Sequence, residues 1–183
     1  MFSQVEALAL GSDGTLYAGG WFRQAGFVSA DYVAAWNSDV GWSALGSGLP
    51  AVTYSLVVDN NDTLYAGTAR FGGTVYSWSG SAWSEAGGFS HTVTELALDS
   101  QGRLYAGTTV GEIASWDGSG WSRLGSGLNS VPHSLGVDST NNLWVGGEFT
   151  IAGDKTSVKI AKWTKNFSEL SNSAPIILSL IHI

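Results

Sequence analysis

The sequence predicts an all-β chain built from four tandem copies of one four-stranded unit, and two observations carry that prediction. The first is a recurring segment of leucine, an aromatic, a small residue and glycine. It stands at Leu16-Tyr17-Ala18-Gly19, Leu64-Tyr65-Ala66-Gly67, Leu104-Tyr105-Ala106-Gly107 and Leu143-Trp144-Val145-Gly146. Its spacings of 48, 40 and 39 residues define an internal repeat, which decides the architecture before any single element does. The second is composition: 25 glycines and 9 tryptophans among 183 residues, with only 13% charged, suit short strands and tight turns better than helices. A hydrophobic content of 44% is ample for a packed core.

Each copy opens on an apolar strand starting at Val5, Val52, Val93 or Val131. A turn follows, with Asp59, Asp99 and Asp138 directly after the strand in three copies, where an aspartate can accept from its own downstream amides. The Leu-aromatic-small-Gly segment is the second strand. The third ends on Trp36, Trp78, Trp116 or Trp163, and the fourth starts at Trp42-Ser43, Trp83-Ser84, Trp121-Ser122 or Phe167-Ser168. In the third copy Asp117-Gly118-Ser119-Gly120 is a strong hairpin signal between those last two strands. Four short strands at a period near 40 residues are the signature of a β-propeller blade. The prediction is therefore four four-stranded antiparallel blades, with the third-strand tryptophans buried between them. The boundaries are approximately 5–51, 52–92, 93–130 and 131–173.

The pattern Gly19-Gly20, Phe22, Ala25-Gly26, Val33-Ala34 and Trp36 returns at one constant offset as Gly146-Gly147, Phe149, Ala152-Gly153, Ile160-Ala161 and Trp163. With Leu45-Gly46-Ser47-Gly48 and Leu124-Gly125-Ser126-Gly127, it resembles the secreted bacterial propeller repeats of Kelch-type and cortical-marker-like proteins. The third copy also resembles the propeller repeat of two-component sensor regulators. The resemblance covers nearly the whole chain. It implies a binding or scaffolding propeller that is extracellular or at the cell surface, and as the alternative a sensor ectodomain or the non-catalytic part of a propeller lyase or glycosidase.

A net charge of −7 lacks the basic face that phosphate binding requires, so no nucleic-acid partner is expected. No apolar run approaches the roughly 20 residues that cross a bilayer, so no membrane insertion is expected. With no cysteine and three histidines, His91, His133 and His182, none at a ligand spacing, neither a metal site nor a cofactor is expected. No nucleophile elbow is present, so no catalytic residue is assigned. A residue type that recurs in every copy serves packing or turn geometry, so a ligand site is sought among residues that break the repeat. The first and fourth copies carry long connections between second and third strands. These hold Trp21, Arg23 and Asp31 in one, and Glu148, Asp154 and Lys155 in the other. Arg70 and Phe71 sit in the short connection of the second copy, and His91 between the second and third. Together they are expected to form a polar surface for a saccharide, peptide or protein.

The ends suggest a piece of a larger propeller, which makes the missing blades of the same chain a further partner. Phe2-Ser3-Gln4-Val5 parallels Phe89-Ser90-His91-Thr92-Val93, and residues 174–177 resemble the start of another first strand. Leu178-Ser179-Leu180-Ile181-His182-Ile183 matches the translation of a transposon-library sequencing adapter, as in a metagenomic read, so 178–183 is set aside as an adapter-derived tail.

Overall fold

The computed structural model describes residues 4–165 and 178–181. Its strands follow the repeat. The first copy gives β1 (Val5–Leu10), β2 (Leu16–Gly20), a small hairpin of β3 (Gln24–Ala25) and β4 (Val28–Ser29), then β5 (Val33–Asn37) and β6 (Gly41–Ala44). The second gives β7 (Thr53–Val58), β8 (Leu64–Thr68), β9 (Gly73–Trp78) and β10 (Trp83–Phe89). The third gives β11 (Val93–Leu98), β12 (Leu104–Thr108), β13 (Ile113–Trp116) and β14 (Trp121–Arg123). The fourth gives β15 (Pro132–Val137), β16 (Leu143–Gly147), the hairpin β17 (Ile151–Ala152) and β18 (Lys155–Thr156), β19 (Ile160–Lys165) and β20 (Leu178–Ile181).

They form four sheets of four strands, in the orders β1-β2-β5-β6, β7-β8-β9-β10, β11-β12-β13-β14 and β15-β16-β19-β20. The predicted fold class is thus what the chain adopts. The helical content of the described residues is a single 3-10 turn at Arg70–Gly72, and none of it is long and apolar enough to cross a membrane. The aspartates act as the turns require: Asp59 Oδ1 accepts from the amides of Asn61 (2.9 Å) and Thr63 (2.8 Å), and Asp99 and Asp138 repeat the arrangement. These oxygens satisfy amides that the tight turn takes out of the ladder.

Residues Met1–Leu96 and Ala97–Ile183 form two compact units. In the first, the sheet register puts Leu56, Leu64, Ala66, Tyr76 and Trp78 on one face of the second sheet. That face packs on Ala7, Ala9, Tyr17, Val33 and Ala35, which share a face of the first sheet. In the second unit Leu143, Val145, Phe149, Ala161 and Trp163 pack on Tyr105, Ile113, Leu124 and Leu128. The tryptophans divide accordingly. Trp163 is 2% exposed and Trp78 is buried, Trp116 is half-buried, and Trp36 is 38% exposed. The expectation that all four are buried is corrected for Trp36, and for Trp116, which is buried only in part. The Trp36 face of the first sheet, with Leu8, Leu10 and Leu16, is the counterpart of the face that buries Trp78, but among the described residues of its unit the β3–β4 hairpin covers only the Ala18–Ala34 part of it and no four-stranded sheet lies against it.

The outer strand of the fourth sheet is Leu178–Ile181, paired antiparallel with β19 from Lys165↔Leu178 to Lys162↔Ile181. The tail set aside from the blades therefore occupies the fourth-strand position. An open strand edge offers unpaired amides and carbonyls that any extended segment can satisfy. The aromatic-serine copy at Phe167-Ser168 and residues 174–177 lie outside the described residues.

Glu95, on β11, is half-buried, and burial pushes its carboxyl from 4.5 up to about 7. The folded protein holds this proton more tightly than the unfolded chain. Its contribution therefore makes stability fall as pH rises from about 4.5 through about 7, with no further change above that. Glu95→Gln is expected to flatten this fall in urea midpoints measured from about pH 4.5 to 8. Parallel curves for the two proteins would show that the dependence arises elsewhere.

Candidate functional site

The two long loops are one structure written twice. After β2, the Trp21 amide donates to the Gln4 carbonyl (2.8 Å), Tyr32 to Phe22 (2.8 Å), Ala30 to Arg23 (3.0 Å) and Gly20 to Tyr32 (3.1 Å). After β16, Glu148 donates to Val131 (3.3 Å), Lys159 to Phe149 (2.9 Å), Ser157 to Thr150 (2.9 Å) and Gly147 to Lys159 (3.0 Å). Tyr32 and Lys159 both take the left-handed backbone, at φ 65 and 68. The turn into the third strand requires it, and the closed hydrogen-bond set offsets its strain. Phe22 and Phe149 are buried under their loops, which leaves the variable residues on the outside.

In the first unit these variable residues group. Trp21, 47% exposed, stands edge-on to Tyr54 with ring centroids 6.2 Å apart. Arg23 donates from Nη2 to the Tyr32 hydroxyl (2.9 Å), lies 5.2 Å from the Tyr32 ring centroid, and stands 3.7 Å from Asp31. The ion pair is solvent-exposed and adds little stability. Burial first, and the Glu6 carboxylate second, push the Tyr54 phenol upward, so it stays a neutral donor and acceptor at neutral pH.

Arg70, in the 3-10 turn, reaches the Tyr76 hydroxyl (3.2 Å) and stands 4.0 Å from Glu85, with its guanidinium 4.5 Å from the Phe71 ring centroid. Phe71 is 85% exposed and has φ 49, a strained conformation for an aromatic residue. His91 is exposed, and its carbonyl lies where a side chain on Gly73 would go. Trp21 follows the end of β2, Tyr54 lies near the start of β7 and Arg70 follows β8. All three therefore stand at one edge of the two sheets. In the second unit Glu148 approaches His133 Nε2 at 3.6 Å, and Asp154 and Lys155 are exposed on the β17–β18 hairpin.

Sequence reasoning singled out Trp21, Arg23, Asp31, Arg70 and Phe71 here, and did not single out Tyr32, Tyr54 or His133. A signal for two of these was present. Glu6, Tyr54, Thr94 and His133 occupy one repeat position and are all different, so the rule that sites break symmetry applies to the first strand as much as to the loops. Among the described residues no group of three or more His, Cys, Asp or Glu side chains is placed to hold a metal ion.

No family model matches the chain, and no curated protein matches it. Solved structures do. The chain is similar to the extracellular domain of a hybrid two component system of B. thetaiotaomicron, with TM-score 0.67, 18% identity, all of this chain covered and 22% of that one. It is similar to virginiamycin B lyase from Staphylococcus aureus, with TM-score 0.68, 12% identity, 98% of this chain covered and 55% of that one. It is also similar to the Cps50 (Swd1) beta-propeller domain of Myceliophteria thermophila, with TM-score 0.67, 14% identity, all of this chain covered and 59% of that one. The chain thus spans less than two thirds of each. At these identities the likeness is one of fold alone, and with four antiparallel four-stranded sheets it makes the chain a β-propeller by fold.

Proposed function

We propose that this chain is a non-catalytic binding or scaffolding propeller of a secreted or cell-surface protein, of the Kelch-type or cortical-marker-like kind, and that its ligand is a saccharide, peptide or protein. The observation that supports this most is the exposed group of Trp21, Tyr54, Arg23 and Tyr32. It combines residue types that dominate binding hot spots with a backbone closed by its own hydrogen bonds. Arg70, Phe71 and His91 extend the surface in the same unit, and Glu148, Asp154 and Lys155 offer acidic and basic groups on the equivalent loop of the other. A glycan and peptide array probed with the full chain tests the reading. Trp21→Ala and Arg23→Ala are each expected to weaken a hit at least about tenfold without moving the melting temperature. Hits insensitive to both would remove this surface as the site, and turnover of an array glycan would overturn the non-catalytic reading.

A sensor ectodomain is the second reading, favoured by the similarity to extracellular domains of one- and two-component systems of B. thetaiotaomicron. An open reading frame that continues into a membrane helix and a kinase or DNA-binding segment would favour it. A secretion-sorting tail would favour the scaffold.

A further inference from the structure

The first strands of the first, second and fourth copies carry a β-bulge at one repeat position. In β1 the register passes from Val5↔Gly20 to Ala7↔Gly19, in β7 from Thr53↔Thr68 to Ser55↔Gly67, and in β15 from Pro132↔Gly147 to Ser134↔Gly146. The extra residues are Glu6, Tyr54 and His133. A bulge takes its residue out of the ladder, bends the strand and re-aims the side chain. Here the bulge recurs while the residue in it changes from acid to phenol to imidazole. The backbone device is common to these copies, and the chemistry it presents is not.

In each copy with a long loop, the residue after the second strand stands beside the bulge. In the fourth, Glu148 follows Gly147 and approaches His133 at 3.6 Å, with the two side chains 74% and 59% exposed, so this corner is open to solvent. In the first, Trp21 follows Gly20, and its amide is bonded to the Gln4 carbonyl as the Glu148 amide is to that of Val131. Trp21 therefore flanks Glu6, and its ring stands at 89° to that of Tyr54. The third side closes as well, since the Glu6 carboxylate acts on the Tyr54 phenol. Bulges on the neighbouring strands β1 and β7 and one loop residue thus bring a carboxylate and two aromatic rings to one corner.

The chemistry of that corner favours a cation. Perpendicular rings offer two electron-rich faces to one guest, whereas a pyranose stacks on a single flat face. The arginines of this edge already stand against other carboxylates, Arg23 against Asp31 and Arg70 against Glu85. Among the described residues no basic side chain lies within ion-pair distance of Glu6. The net charge of −7 draws cations to the chain. A lysine suits the corner because its methylenes lie along the rings while its three N–H donors meet the carboxylate. One ammonium at so open a corner binds weakly, so the rest of the affinity has to come from flanking groups along the edge that carries Arg70 and Phe71.

We infer that the Glu6–Trp21–Tyr54 corner is a seat for an alkylammonium group, and that the ligand is a polypeptide that places a lysine side chain there. This rests on Trp21 belonging to the binding surface proposed for the chain, and it narrows the ligand to one class.

The full chain is titrated with a capped Gly-Gly-Lys-Gly-Gly peptide, its acetyl-lysine counterpart and choline, followed by the Trp21 indole N–H resonance assigned with Trp21→Phe. The lysine peptide is expected to shift this signal saturably and to bind at least about tenfold more tightly than the acetyl-lysine peptide. Glu6→Gln is expected to remove that difference without moving the melting temperature. Raising salt from about 20 to about 300 mM should weaken the lysine peptide, because the charges are exposed. Choline binding as tightly as the lysine peptide would make the ligand a free amine and overturn the polypeptide assignment. Equal binding of the two peptides, or no shift with either, would overturn the seat itself. Array hits that Trp21→Ala weakens and Glu6→Gln leaves unchanged would refute the seat alone, whereas hits insensitive to Trp21→Ala and Arg23→Ala would remove the wider surface with it.

Discussion

Trp163→Ala is expected to destabilise the second unit by about 3–5 kcal/mol, whereas Trp36→Ala, at the same repeat position, is expected to cost about 1 kcal/mol or less. Trp163 is fully enclosed by Tyr105, Ile113, Leu124 and Leu128 from the third copy together with Leu143, Val145 and Ala161 from its own. Removing the indole forfeits its burial and leaves a cavity that strands tied by backbone ladders cannot collapse to fill. Trp36 sits on the bare face of the first sheet, where truncation removes area that is already partly wet. Urea unfolding of the full chain, followed by exchange of amides in β15–β16 for one variant and β1–β2 for the other, separates the two units. Equal losses at both positions would show that inter-sheet packing is not what makes the repeated tryptophan valuable.

Gly73→Ala is expected to cost about 3 kcal/mol and to displace the loop that carries Arg70 and Phe71. A Cβ at this residue would stand 2.1 Å from the His91 carbonyl oxygen and 2.8 Å from the Val93 amide nitrogen. Both obstacles are backbone, so no rotamer change relieves the clash, and one of the two segments must move. Gly72 beside it is equally confined, with φ 105 and the Ser90 carbonyl 2.4 Å from a built Cβ, so the loop has no slack to absorb the shift. Gly80→Ala is the control: φ is 90 but nothing lies within 4 Å, so only backbone strain of about 1–2 kcal/mol is expected. Thermal melts of the two variants, with exchange rates over residues 70–73 and 89–93, check the difference. Matching melts would mean that the close approach of these backbones is not required.

The Gly73 contact marks where reading the chain by itself stops. The glycine is visible in the sequence, but the carbonyl it makes room for belongs to a residue well downstream, and only the folded chain brings them together. Trp21 and Arg23 were singled out because they break the repeat. Tyr54 was passed over because it sits inside a strand whose neighbours look structural, although it too breaks the repeat and touches Trp21. Tyr32 could not be assigned as the partner of Arg23 from spacing, since their contact depends on the left-handed turn at Tyr32 itself.

Read by itself, the amino-acid sequence determined the repeat, the four-stranded unit, the order of its strands, the aspartate turns and the loops in which variation collects. Each of these follows from local rules: strand periodicity, turn chemistry and the identity of corresponding residues. Tertiary structure decided which copy of a repeated residue is buried and which strand completes the fourth sheet. Burial and backbone pairing depend on what lies across the interface, and identical sequence positions meet different neighbours. Trp36 and Trp163 occupy the same repeat position, and only the sheet beside the second makes it core.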